Sequence, residues 1–339
     1  MGAGKSGEWI RVAKAIVIVG NESGPIELGP PAMQHAVLAS IDVLGVSVVR
    51  RTVERLLRDS IGGVAVCGSS VESEGFDDHP SLTLFPSTDP WETAAGLLAG
   101  WKDDLDCVLI MRVGAYIEFD LADAFRFCGE HSQGVVRAFD DEGPLDLWVA
   151  RPDRVSENAS LFAGLQMGRS MYYPVRGYVN RLRHPRDLRR LVVDSFNSRC
   201  LLRPQGSEVR QGIWMGEGAQ VGKGARIVSP SFIGRDVTIS EQCLVTRCSN
   251  IERDSFVDYG TVVEDTSILP NSYVGIGLDL AHSVVDGQSL VNLHHGVMLK
   301  IGDPVVMRQN KPFAGVVRNL WSGPGLDGPI VAAGEQSGN

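Results

Sequence analysis

Met215-Gly-Glu-Gly-Ala-Gln, Val221-Gly-Lys-Gly-Ala-Arg, Ile227-Val-Ser-Pro-Ser-Phe, Ile233-Gly-Arg-Asp-Val-Thr, Ile239-Ser-Glu-Gln-Cys-Leu, Val245-Thr-Arg-Cys-Ser-Asn, Ile251-Glu-Arg-Asp-Ser-Phe, Val257-Asp-Tyr-Gly-Thr-Val, Val263-Glu-Asp-Thr-Ser-Ile and Leu269-Pro-Asn-Ser-Tyr-Val run without a gap from residue 215 to residue 274. The first member of each hexad is apolar. The fifth is small, from Ala219, Ala225 and Ser231 through Val237, Cys243, Ser249, Ser255 and Thr261 to Ser267, and only Tyr273 breaks the rule. A period of six belongs neither to a helix nor to one long strand, whose periods are about 3.6 and 2. It fits a coil with short flat faces, in which one apolar residue per face enters a shared core and a small residue lets the chain turn the next corner. Each coil leaves its apolar face open until a neighbour stacks on it, so the unit is stable only as an array. The spacing therefore predicts a parallel β-helix over 213–276.

The chain around it has 339 residues, 43% hydrophobic and 22% charged, enough for a second domain with its own core. A formal charge of −9 and a pI near 5.3 lack the basic footprint of nucleic-acid or anionic-membrane binding, so neither partner is expected. The longest apolar runs, such as 15–19 and 108–111, are too short to span a bilayer, and no charged segment followed by an apolar one opens the chain. The six cysteines show no framework spacing and read as reduced core thiols, which predicts a cytoplasmic protein.

Upstream of the repeat, strands and helices alternate. Ala15-Ile-Val-Ile-Val-Gly20 reads as a buried strand running into a loop, and 47–59 as a helix with Val49, Val53, Leu56 and Leu57 on one face. Strands follow at 64–67, 82–85 and 107–111, and helices at 91–101, 121–130 and 185–196. That pattern predicts an α/β domain over 12–200 with a largely parallel sheet. Residues 1–11 read as a flexible N-terminus, 201–212 as a linker, 277–320 as a cap and 321–339 as a Gly-rich flexible tail.

Two resemblances sharpen these expectations. The hexads resemble those of the hexapeptide-repeat family, which implies a left-handed coil and assembly into homo-oligomers. Over about residues 12–300 the chain resembles the sugar-phosphate nucleotidyltransferases, the NDP-sugar pyrophosphorylases similar to mannose-1-phosphate guanylyltransferase. Ile41-Asp-Val-Leu-Gly45 with the helix after it is similar to that family's P-V-x-G-x-P segment. Glu92-Thr93-Ala94-Ala95 stands where the family has a G-T-A turn beside the nucleoside. Residues 108–121 resemble its strand, G-D turn and D-L helix start, and His184-Pro-Arg-Asp-Leu188 its T-P-E-D-L. The fold class implied is α/β, a Rossmann-like nucleotidyltransferase domain followed by a C-terminal left-handed parallel β-helix.

The family joins a nucleoside triphosphate to a sugar 1-phosphate and releases pyrophosphate, using a G-G-x-G-T-R loop, a nearby Lys, and carboxylates that hold Mg²⁺. Here the loop is Gly20-Asn21-Glu22-Ser23-Gly24-Pro25, and residues 21–49 contain neither Lys nor Arg. Val113-Gly114 replaces the G-D turn, and Asn180-Arg181-Leu182-Arg183 stands where the second carboxylate belongs. The resemblance thus implies a pseudoenzyme of sugar-nucleotide metabolism, with no catalytic residue, no metal ligand and no certain cofactor. It would be a regulatory or scaffolding subunit that binds a nucleotide or nucleotide sugar, as a homo-oligomer or with an active paralogue. Candidate binding residues are Gly20, Asn21, Ser23, Gly24, Thr93, Ala94, Arg181 and Arg183.

Two alternatives compete. One is an active nucleotidyltransferase with Mg²⁺ on oxygens of Glu22, Asp42 or Glu92. The other is a hexapeptide acyltransferase with His282, His294 or His295 as general base, residues that otherwise read as ordinary cap histidines. Gly2-Ala-Gly-Lys-Ser6 resembles the end of a phosphate-binding loop but lacks the preceding strand. Arg176, Arg181, Arg183, Arg186, Arg189 and Arg190 offer a phosphate clamp. Of these, Arg186, Arg189 and Arg190 read as a solvated helix face, and Asp140-Asp-Glu-Gly-Pro144 reads as an acidic turn.

Overall fold

The computed structural model describes residues 13–20, 38–59, 61–69, 71, 75–131, 134–155, 160–167 and 171–310. The glycine- and lysine-bearing N-terminus, Asn21 to Gly24, and the tail all lie outside the described residues.

In chain order the first part contains β1 (Ala13–Ile18), β2 (Asp42–Val43), β3 (Val46–Ser47), β4 (Val64–Gly68), β5 (Leu82–Pro86), β6 (Cys107–Arg112), β7 (Tyr116–Ile117), β8 (Val135–Asp140), β9 (Gly143–Ala150), β10 (Met171–Pro174) and β11 (Val179–Asn180). Seven of these strands form one mixed sheet in the order β10-β8-β9-β6-β1-β4-β5. The strands β6, β1, β4 and β5 are mutually parallel, and β9 runs antiparallel to both β6 and β8. Alternate residues of the central strands enter two cores. Ala15, Val17, Val64, Val66, Leu109 and Met111 face one side, and Ile16, Ile18, Cys67, Val108 and Ile110 the other. Burial on both faces is why these strands are uninterrupted apolar runs.

Each helix begins where its cap stands. Ser47 accepts the Arg50 N–H and opens Val48–Arg58, which buries Val48, Val49, Thr52, Val53 and Leu56. Asp89 and Pro90 open Pro90–Gly100, and Asp120 opens Leu121–Glu130. His184 opens Pro185–Phe196 by accepting the Arg186 N–H, while Asp187 reaches back to the His184 amide. The helix Pro90–Gly100 covers one face of the sheet. The helices Val48–Arg58, Leu121–Glu130 and Pro185–Phe196 cover the other.

From residue 207 the chain passes in rotation through three parallel sheets. The first face stacks Ile213–Met215, Ser231–Ile233, Asn250–Ile251, Ser267–Ile268 and Ser283–Asp286; the second and third begin with Gln220–Val221 and Arg226–Ile227. The segment read as linker closes the start of the coil, because Ser207–Arg210 pairs antiparallel with Ile213–Met215. Parallel stacking continues past 276 through Asp279–Ala281 and Ser283–Asp286, so the cap begins later than the hexads suggest.

The hexad register also needs one correction. Ile233 pairs with Ile251, 18 residues on, but Ile251 pairs with Ile268, 17 residues on. The inward residue is therefore Ile268, while Leu269 joins the core of the α/β domain. One residue is lost at the corner where Asp265 adopts a positive φ of 44°. With that shift the small position of the last hexad is Ser272, fully buried, and Tyr273 no longer breaks the rule. Where the coils shorten, inward hydroxyls replace apolar side chains at the corner. Oγ of Ser249, Oγ1 of Thr266 and Oγ of Ser255 accept the N–H groups of Thr266, Ser283 and Ser272 at 3.2 Å. These rungs satisfy corner amides that the ladders leave over.

The coil is docked on the sheet domain. Phe232, Leu269, Val284 and Val291 belong to the same buried cluster as the helix Val48–Arg58 and the strands beneath it. Glu252, with no exposed surface, reaches into the turn between β2 and β3. Its Oε1 accepts Leu44 N–H at 2.8 Å and Asn250 Nδ2 at 2.7 Å, and its Oε2 accepts Gly45 N–H at 2.9 Å. Burial, with the nearby Asp42 adding to it, pushes the Glu252 carboxyl up to about 8 against the pull of these three donors. Arg253 Nε meets Asp42 at 2.7 Å beside it. Gly45 is required here: its φ is +97°, and a Cβ would stand 2.9 Å from Cβ of Gln205.

Candidate functional site

From β1 the chain steps outward to β4 and β5, then returns past β1 to β6, so the strand order reverses between β1 and β6. In an open α/β sheet the crevice for a ligand lies outside the carboxyl ends of the strands at such a reversal. Here those ends are Val19-Gly20 and Arg112-Val113. Val19 N–H bonds the Cys67 carbonyl and Val113 N–H the Ile18 carbonyl, which holds the edge in order. Gly68 has no room for a side chain, since a Cβ would run into the Val19 carbonyl oxygen.

Three of the predicted residues meet at this edge. Gly20 faces Pro90, whose Cγ would stand 3.3 Å from a Cβ placed on the glycine. Thr93, half-buried on the first turn of that helix, bonds Ser87 Oγ at 2.8 Å, and Ser87 N–H bonds the Gly68 carbonyl. Ala94 sits on the same turn but is fully buried among Ile16, Ile18 and Trp91, so it shapes the core and offers a ligand no surface. Glu92 is exposed on the helix, whereas Asp42 lies at the coil junction in its pair with Arg253. The two do not converge on a common ion.

Arg181 is the clearest departure. It is buried, and its guanidinium is held by Asp140 and the carbonyls of Gly143 and Pro144. The acidic turn read as a plain loop is the partner of this arginine, which is therefore engaged within the fold rather than offered to a phosphate. Arg183 stays exposed, 4.0 Å from Glu142. Arg189, read as part of a solvated face, is buried instead. It bonds the carbonyls of Cys248 and Arg247 and pairs with Asp265 at 2.6 Å, pinning the helix Pro185–Phe196 to the coil.

The sequence reading missed the cations that do stand at the reversal. Arg112 ends β6 and donates from Nε to Asp146 Oδ2 at 2.8 Å; Arg137 on β8 donates to Asp146 Oδ1 at 3.1 Å. Two guanidiniums thus share the Asp146 carboxylate at the carboxyl end of β6. An arginine closing the apolar run 107–111 was the available signal. Arg137 also lies over the Trp148 ring, 5.0 Å from its centroid.

At the far end of the coil the three histidines come together. His282 Nδ1 meets Asp265 Oδ2 at 2.6 Å, and Asp265 is the carboxylate that Arg189 holds. The His282 ring is 5.9 Å from that of His294, which is 4.8 Å from that of His295. Among the described residues no group of three or more His, Cys, Asp and Glu is arranged to hold a metal ion. No helix there is long and apolar enough to cross a membrane.

No protein-family model matches the sequence, and no curated protein is significantly similar to it.

Proposed function

We propose that this chain is a nucleotidyltransferase-like pseudoenzyme that binds a nucleotide sugar at the carboxyl edge of β1 and β6. The reversal of strand order at that edge is the observation that carries the reading. In this reading Gly20, Thr93 and the arginines Arg112 and Arg137 on Asp146 would contact the ligand there. Guanidiniums suit phosphate oxygens, and amides at a strand-to-loop turn suit a pyrophosphate. The remaining candidates are Asn21, Ser23 and Gly24, which lie outside the described residues, and Arg183, which stands exposed ahead of the last helix.

Catalysis is absent from this reading because the residues do not fit Mg²⁺. Val113 is buried and Gly114 has no side chain. Asn180 is buried with its amide on the Asp187 carbonyl, and Arg181 is paired with Asp140. Phosphoryl transfer rests on positioned cations and metal oxygens, and these positions supply neither. The coil in this reading is a left-handed β-helix of the hexapeptide kind that serves as scaffold and assembles the chain with copies of itself or with an active paralogue.

A thermal-shift panel tests the proposal. Nucleoside triphosphates, nucleotide sugars and sugar 1-phosphates are each added with and without Mg²⁺. A nucleotide sugar that binds only the native state raises the midpoint, by ~2.7 kcal/mol of added stability at a hundred times its dissociation constant. The expected result is a shift that survives EDTA with a nucleotide sugar. Stabilisation by a triphosphate only in the presence of Mg²⁺ contradicts it.

One observation favours a second reading. His282, with its ring 45% exposed and Nδ1 on Asp265, has the arrangement of a general base oriented by a carboxylate. Acyl transfer on the coil would use it, and acetyl-CoA added to the same panel separates the two readings.

A further inference from the structure

The helix Val48–Arg58, the segment 76–82 and the stretch 201–205 enclose a groove of about 640 Å³. Leu82 is the first residue of β5, and Arg58 ends the helix that leads into β4. The groove thus opens at the amino ends of the strands, the edge of the sheet opposite the crevice described above. Its volume is in the usual range for a small-molecule site.

Its lining divides into two kinds of surface. Leu57, Phe76 and Leu82 are half-buried against the main core and form an apolar floor, and Leu201 stands over it with 71% of its surface exposed. Most of the charge around them is already engaged. Glu54 and Asp77 both pair with Arg50, at 2.7 and 3.0 Å. Arg51 donates to the carbonyls of Val43, Leu44 and Val46. Arg58 and Arg203 likewise bond only main-chain carbonyls, but unlike Arg51 they are exposed, and neither has a carboxylate partner among the described residues. His79 accepts the Ser81 N–H at Nδ1, which leaves its other nitrogen to the groove, and Asp78 is the one opposing carboxylate outside an ion pair there.

We propose that this groove is a second ligand site, for a small amphipathic anion. The apolar body lies on Leu57, Leu82 and Leu201, and a carboxylate, sulfonate or phosphate group is held by Arg58 and Arg203. Guanidiniums flanking a hydrophobic floor recognise that combination, because the anion gains charge-assisted hydrogen bonds while the body leaves water. One wall is the helix that follows the Leu44–Gly45 turn held by Glu252, and the other leads into the coil. Occupancy therefore reinforces the docking of the two domains.

The test uses 1-anilinonaphthalene-8-sulfonate, an aromatic sulfonate whose fluorescence rises in apolar surroundings, titrated into the full chain. The expected result is one saturable site whose Kd rises by about tenfold or more in Arg58→Ala and in Arg203→Ala. Leu201→Ser weakens it as well. All three side chains are exposed, so these variants fold, and an unchanged unfolding midpoint verifies that they do. Decanoate displaces the dye, whereas inorganic phosphate at equal concentration does not. A saturable site that none of the three substitutions affects overturns the proposal, as does the absence of saturable binding. Displacement by phosphate alone overturns the role of the apolar floor.

Discussion

Replacing Glu252 by Gln should change the pH dependence of stability more than stability itself. The side chain is buried at the domain junction and accepts three donors, Leu44 N–H, Gly45 N–H and Asn250 Nδ2. Glutamine keeps one oxygen for Leu44 and Asn250 but turns an NH₂ toward the Gly45 amide. One buried donor is left unmade, at a cost of about 1–3 kcal/mol. The wild-type carboxyl carries the opposite liability. Its folded pKa is raised to about 8 from 4.5, so between those values the native state keeps a proton that the unfolded chain has released. Stability therefore falls as pH rises through that window, by ~1.4 kcal/mol per pH unit and about 5 kcal/mol in all. The two chains should cross near pH ~6, with wild type the more stable below and Glu252→Gln the more stable above. Urea unfolding followed by tryptophan fluorescence from pH 5 to 9 measures the difference directly. A gap that is constant with pH, or one that favours wild type increasingly at high pH, refutes the reasoning.

Other perturbations test the rest of the fold. Arg189→Ala leaves Asp265 and two corner carbonyls without their buried partner and should cost about 2–4 kcal/mol in chemical denaturation; Arg189→Lys should not restore it, because an ammonium cannot span the carboxylate and both carbonyls. Ile251→Ala, at a fully buried position of the coil, should cost about 2–5 kcal/mol and lower the thermal midpoint. Inserting one residue between Asp265 and Thr266 restores a spacing of 18 but breaks the bond from Thr266 N–H to Ser249 Oγ and its neighbours, at about 2 kcal/mol. An insertion without effect would show that the shortened corner has no bearing on stability.

Legibility in the sequence followed the reach of each interaction. Local features could be read: apolar strands at 15–20, 64–67 and 107–111, which the structure places at 13–18, 64–68 and 107–112, and helices that start directly after Ser47, Asp89, Asp120 and His184. The hexads revealed the coil, because one inward residue per face imposes a period that nothing else in the chain shares. Tyr273 at a small position was the visible sign of the lost residue at Asp265, and Ser272 beside it was the better candidate for that place. What the sequence concealed were partnerships across long separations. Glu252 looks like any polar residue following an inward isoleucine, yet it meets the turn at Leu44 and Gly45. Arg181 reads as a phosphate ligand ahead of the last helix and Arg189 as part of its solvated face; each is buried because a distant carboxylate, Asp140 or Asp265, comes to meet it. At the candidate crevice Gly20 and Thr93 were legible as loop and helix start. Arg112, Asp146 and Arg137 were not, because only the antiparallel pairing of β9 with β6 and β8 brings them together.

The central claim is that the crevice at the reversal of strand order binds a nucleotide sugar without turning it over. Isothermal titration of nucleotide sugars into the chain in EDTA, for wild type and for Gly20→Leu, tests it most directly. Gly20→Leu places a side chain against Pro90 at the mouth of the crevice. Saturable binding to wild type that the substitution abolishes, with no pyrophosphate exchange when Mg²⁺ is restored, is the predicted result. Binding that Gly20→Leu leaves intact, or exchange that starts with Mg²⁺, contradicts it.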